Sequence, residues 1–123
     1  MSSILIIDDE ATLREALSLT LKEVGYSVLE ARNGREGLEL LRNEPADLVL
    51  LDVFMPEKDG LETLREIRRL QPTPRVIVMS GGGSNHSLDI LQVASFLGAR
   101  RTLAKPFELQ ELMSVVRAEL SQV

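Results

Sequence analysis

Apolar positions along the chain come in two kinds of run, and the two kinds alternate. Ile4 to Ile7 is an uninterrupted aliphatic run that stops at Asp8-Asp9, the pattern of a strand covered on both faces with acids at its carboxyl end. Leu13, Ala16, Leu17, Thr20, Leu21 and Val24 then recur at helical spacing, and Gly25 supplies a stop. Ser27 to Ala31 predicts a second short strand. Asn33-Gly34 predicts a turn, after which Leu38 and Leu41 mark a short helix ended by Pro45. Leu48 to Leu51 has no polar alternation and ends at Asp52, so it predicts the most deeply buried strand.

The second half repeats the alternation. Met55 to Gly60 predicts a loop, and Leu64, Ile67 and Leu70 place an apolar stripe on a third helix that Pro72 and Pro74 end. Arg75 to Met79 predicts a fourth strand, with Ser80 at its carboxyl end before Gly81-Gly82-Gly83. Ile90, Ala94 and Leu97 mark a fourth helix closed by Gly98. Arg101 to Ala104 predicts a fifth strand ending at Lys105-Pro106, and Leu109, Leu112, Met113, Val116 and Leu120 stripe a final helix. Strict alternation with short connections requires a parallel sheet with right-handed crossovers and helices on both faces, a doubly wound α/β fold. No repeat or linker divides the chain, so a single domain over 1–123 is expected, with nothing left over for an output domain.

Composition narrows the function. The 123 residues are 44% hydrophobic and 27% charged, the balance of an ordinary globular domain. A formal net charge of −5 repels phosphate backbones, so direct nucleic-acid binding is not expected. The absence of cysteine excludes disulfides and thiolate metal sites. No basic leader precedes the first strand and no apolar run has spanning length, so a cytoplasmic protein without a membrane partner is expected.

Ligands of an open parallel sheet bind at the carboxyl ends of its strands. Those ends carry Asp8, Asp9, Asp52, Ser80 and Lys105. Carboxylates gathered there repel by roughly 4 kcal/mol per pair at about 4 Å and an effective dielectric near 20. A cation is therefore required, and hard oxygen donors without nearby histidine or cysteine suit Mg²⁺ or Mn²⁺ better than zinc. A cation and an ammonium group around one carboxylate are also the apparatus of phosphoryl transfer, with the carboxylate as nucleophile.

Asp8-Asp9, Asp52 followed by Met55-Pro56 and Asp59-Gly60, Ser80, and Lys105-Pro106-Phe107 together resemble the response-regulator receiver domain of two-component signalling, over essentially the whole chain. The resemblance implies a flavodoxin-like fold of five strands ordered 2-1-3-4-5 with five helices on both faces. It implies that Asp52 accepts the phosphoryl group, that Asp8, Asp9, Asp52 and the backbone carbonyl of Phe54 hold the cation, and that Ser80 and Lys105 bind phosphoryl oxygens. The Lys105-Pro106 bond is expected to be cis. The implied partners are a sensor histidine kinase or histidine phosphotransfer protein and a downstream target protein. The implied activity is that of a switch, no enzyme beyond assisting its own phosphorylation and dephosphorylation.

One position departs from the family. Three residues before the lysine, where Tyr or Phe is usual, stands Thr102, so a switch through Ser80 must use another element, such as the glycine-rich segment from Gly81 to Asn85. Phe54 and Gly82 take the positions that in the family line the route to the phosphoryl group.

Plainer readings stand beside these. Asp8 and Asp9 suit helix capping, and Lys105 alone reads as a solvated lysine. His86, in a Gly/Ser/Asn-rich segment, reads as a surface residue, and Met55, Met79 and Met113 read as packing. Arg65, Arg68 and Arg69, with Arg100 and Arg101, read as solvated charge, the latter pair with the alternative of bordering a docking face. Two other classes are a receiver-like adaptor that works without phosphorylation and a metal-dependent phosphohydrolase. Against the latter, Phe54 stands where a second carboxylate is needed.

Overall fold

The structure, a computed structural model, describes residues 2–53, 60–80 and 92–121. Five strands, β1 (Ser3–Ile7), β2 (Ser27–Ala31), β3 (Leu48–Asp52), β4 (Arg75–Ser80) and β5 (Arg101–Ala104), form one parallel sheet in the order β2-β1-β3-β4-β5. Between them run helices α1 (Ala11–Val24), α2 (Gly34–Asn43) and α3 (Gly60–Arg68), then the described helical residues 92–96 of α4, and finally α5 (Leu109–Leu120). This is the doubly wound fold, with the predicted strand order.

Alternation along the strands divides the core in two. Ile4, Ile6, Leu48, Leu50, Ile77, Met79 and Leu103 face one side, where Leu17 and Leu21 of α1 and Leu112 and Val116 of α5 cover them. Leu5, Ile7, Val49, Leu51, Val76 and Val78 face the other, under Leu38 and Leu41 of α2, Leu64 and Ile67 of α3, and Ala94 of α4. Every residue of β3 is buried, the consequence of lying between β1 and β4 with helices above and below. Burying one such aliphatic side chain is worth about 1.5–3 kcal/mol. A polar substitution in β3 would therefore be severe.

The helix ends follow local chemistry, with some departures from the sequence pattern. Gly25 closes α1 at φ 112°, its N–H reaching the carbonyls of Leu21 and Lys22. Asn33-Gly34 is no free turn: Asn33 caps α2, its side chain accepting from the Glu36 N–H at 2.9 Å. Gly60 belongs to α3, and a Cβ there would lie 2.3 Å from the Val53 backbone, so the helix starts hard against the end of β3. Val24, read as part of the apolar stripe, is exposed. The peptide bonds Gln71-Pro72 and Lys105-Pro106 are cis.

Candidate functional site

The sheet delivers its polar residues to one edge through backbone pairing. Asp52 is the last residue of β3 and is in register with Met79, one residue before Ser80. The Lys105 N–H donates to the Ser80 carbonyl at 2.8 Å, and the Asp8 N–H donates to the Ala31 carbonyl at 3.1 Å. Four strand ends thus present Asp8 and Asp9, Asp52, Ser80 and Lys105 side by side.

Their side chains form one charged cluster. One carboxylate oxygen from each of Asp8, Asp9 and Asp52 lies within 4.8 Å of the others. Asp8 and Asp52 are buried while Asp9 is exposed. The Lys105 ammonium donates to Asp8 Oδ2 at 2.9 Å and sits 3.5 Å from Asp52 Oδ2. Burial opposes its charge, but the Asp8 hydrogen bond and the charges of Asp52 and Asp8 outweigh burial and hold its pKa above the ordinary lysine value. Lys105 is therefore a fixed cation, and the solvated-lysine reading gives way.

Asp8 carries both readings offered for it. Its Oδ1 accepts from the Glu10 N–H at 2.9 Å, a local cap at the start of α1, while Oδ2 holds Lys105. Glu10 is the residue at the N-cap position, and its side chain makes no capping bond. Asp9, Glu10, Leu13, Asp52, Lys105, Pro106 and Phe107 line an open cleft of about 490 Å³, wide enough for a hydrated ion and a small phosphodonor.

Ser80 is wholly buried, and its Oγ is, among the described residues, the buried side-chain polar atom with no hydrogen-bond partner. A buried hydroxyl without a partner carries a desolvation penalty of about 1–3 kcal/mol, which a ligand oxygen placed at this edge would relieve. The donor set suits a hard divalent cation: three clustered carboxylates, no nitrogen or sulfur ligand among them, and space for water. Phe54, Met55-Pro56, Asp59, the glycine-rich segment from Gly81 to Asn85, His86 and Ile90 lie outside the described residues. Thr102 is half-buried on β5 and in register with Val78.

Two arrangements lay outside the sequence reading. Arg100 and Arg101 remain half-exposed, as solvated charges are, but each is also paired: their Nε atoms donate to the two oxygens of Glu119 at 3.0 and 2.9 Å. The mark was present, because Glu119 stands three residues after Val116 and seven after Leu112, on the buried stripe of α5. Arg14 carries no mark in the sequence pattern. It donates through Nε to Glu30 at 3.0 Å and through a terminal nitrogen to the Asp8 carbonyl at 2.9 Å.

Comparison with known proteins agrees with this geometry. Residues 4–117 match the response regulator receiver domain family. Sporulation initiation phosphotransferase F of Bacillus subtilis is 37% identical over 117 residues, covering 95% of this chain and 92% of that protein. The CpxR homologue of Haemophilus influenzae, a transcriptional regulatory protein, is 43% identical over 121 residues, which are 98% of this chain but 51% of that protein. This chain therefore spans about half the length of such regulators. Among solved structures, a CheY-like receiver domain protein of Methanospirillum hungatei superposes with a TM-score of 0.87 at 29% identity, over 98% of this chain and 94% of that one. TrrA of Thermotoga maritima, solved with Mg²⁺-BeF, superposes at 0.82 with 34% identity, over 97% and 99%. The chain belongs to the response regulator receiver domain family, the signalling domain of two-component systems. Among the described residues no helix is long and apolar enough to cross a membrane.

Proposed function

We propose that residues 1–123 act as one receiver domain that takes a phosphoryl group on Asp52 in a reaction dependent on Mg²⁺, or Mn²⁺ in its place. The observation that carries this reading is the cluster itself: a buried Asp52 with Asp8 and Asp9 within 4.8 Å and Lys105 held between Asp8 and Asp52. An Asp52 oxygen attacks phosphorus, forming an acyl phosphate as the bond from phosphorus to the donor's leaving group breaks and the leaving group keeps the electron pair. Asp8, Asp9 and Asp52, with the Phe54 carbonyl that the family resemblance adds, would hold the cation, which when bound would offset charge on the phosphoryl oxygens. Lys105 turns from Asp52 toward one of those oxygens, and the Ser80 hydroxyl, without a partner among the described residues, gains one.

The phosphoryl group adds roughly one negative charge beyond the carboxylate, and new acceptor oxygens. The partners are a sensor histidine kinase or histidine phosphotransfer protein upstream and a target protein downstream, reached through altered protein contacts. The similarity to a sporulation phosphotransferase, over nearly its full length, favours an intermediate in a relay or a diffusible messenger. Incubation with acetyl phosphate, with and without Mg²⁺, followed by intact mass tests the reading. One added phosphoryl group that needs the cation and is lost in Asp52→Asn is expected; a folded, Mg²⁺-binding protein that gains none would overturn it.

A further inference from the structure

Asp8 and Asp9 can serve a cation only if the peptide that joins them is held, and strand pairing stops there. The Asp8 N–H is the last in this part of β1 to be taken up by β2, on the Ala31 carbonyl. Its carbonyl points out of the ladder and accepts from the Arg14 guanidinium at 2.9 Å, from one turn into α1. The same guanidinium donates through Nε to Glu30 of β2 at 3.0 Å, and only 12% of the Arg14 side chain is exposed. Glu30 is in register with Ile6, two residues before Asp8.

A planar fork that bonds two acceptors in fixed directions has little freedom left, unlike a lysine on the same stem. The Glu30 carboxylate also neutralises Arg14, so the pair leaves the acidic cluster's net charge unchanged. What it supplies is geometry. We propose that Arg14, oriented by Glu30, is a positioning residue for the cation site: it fixes the plane of the Asp8–Asp9 peptide and thereby the direction in which the Asp9 carboxylate leaves the chain. Asp9 is the exposed member of the three acids and the one with most to gain from such support. Outer partners of metal ligands commonly carry tenfold to a hundredfold in affinity.

This inference rests on the cation-dependent reading above. Mg²⁺ affinity is measured by calorimetry for the wild type, Arg14→Met, Arg14→Lys and Glu30→Gln, beside thermal unfolding and the rate of phosphorylation by acetyl phosphate. Arg14→Met keeps the apolar stem and is expected to weaken Mg²⁺ at least tenfold, with phosphorylation returning to near the wild-type rate at saturating Mg²⁺. Arg14→Lys, whose ammonium has three donors but no planar fork to span both acceptors, is expected to fall between, and Glu30→Gln to weaken Mg²⁺ about threefold. A structural role alone would lower the unfolding temperature and leave the Mg²⁺ affinity of the folded protein unchanged, and that result overturns the inference. If Arg14→Met fails to fold, the order of the other two variants against wild type decides in the same way. Failure of the wild type itself to bind Mg²⁺ or take up phosphoryl would instead sink the parent reading.

Discussion

Lys105 is bonded more closely to Asp8 than to Asp52, at 2.9 against 3.5 Å, so its ammonium is anchored on Asp8 and only leans on Asp52, the proposed phosphoacceptor. That asymmetry lets the lysine stay anchored on Asp8 while its weaker contact shifts away from Asp52. It also makes Lys105 the main internal counter-charge for a wholly buried carboxylate. Replacing it with Met leaves Asp8 buried and less well compensated, and breaking such a pair costs a few kcal/mol. Lys105→Met is expected to lose about 1–3 kcal/mol in the absence of metal. Saturating Mg²⁺ should recover most of it, measured as a larger Mg²⁺-induced rise in Tm than the wild type gives.

Asp9 predicts the opposite sign. It adds a negative charge to two buried carboxylates, and at short range such repulsion is worth about 1–2 kcal/mol even near water. Asp9→Asn is therefore expected to raise metal-free stability by about 1 kcal/mol while reducing the stabilisation that Mg²⁺ confers. Urea titrations with and without Mg²⁺ read both effects, and a variant less stable than wild type without metal would contradict the crowded-acid picture.

Ser80 separates stability from signalling. Among the described residues its buried Oγ has no hydrogen-bond partner, so Ser80→Ala removes an unsatisfied group and is expected to raise stability by about 1 kcal/mol, the low end of that penalty once the lost packing is deducted. The phosphoryl group should lose a partner. Amide shifts on adding beryllium fluoride and Mg²⁺ are expected to shrink around Ser80 and Thr102 in the variant, and identical shifts in both proteins would refute a role for the hydroxyl.

Glu119 gives a pH dependence that involves none of the cluster. Burial alone would raise its pKa, but hydrogen bonds from Arg101 and Arg100 and their charges outweigh it and hold the carboxyl below its usual range. A carboxylate with a depressed folded pKa stabilises fully above its unfolded value of about 4.3, and that contribution disappears as pH falls through the folded value. Glu119→Gln should thus cost about 1–2 kcal/mol at pH 7, discounted for the half-exposed arginines, and the difference from wild type should narrow below about pH 4. A gap that stays constant from pH 7 to pH 3 would argue against the ion pairs.

Much of this was legible because strand ends are punctuated chemically. The aliphatic runs from Ile4 and Leu48 end in acids, and the fourth ends in Ser80, so both the sheet and the edge that bears the cluster follow from one pattern. Helix ends were less visible, since Asn33-Gly34 fits a turn and a cap equally well by composition, and only Glu36 three residues later separates the two. Partnerships across elements were hidden. Arg14 with Glu30 and Arg100 with Glu119 join residues 16 and 19 apart, and spacing within one helix says nothing about them. Phe54 and Gly82 lie outside the described residues, so their readings stay as expectations.

The central claim is that Asp52 is the group that accepts phosphate, and reductive trapping tests it at the residue. After reaction with acetyl phosphate and Mg²⁺, borohydride converts an aspartyl phosphate to homoserine, which peptide mass mapping locates. Homoserine at position 52, formed only when Mg²⁺ is present, is the predicted result. Homoserine at Asp8, Asp9 or another acid, or at none in a protein that binds Mg²⁺, would contradict it.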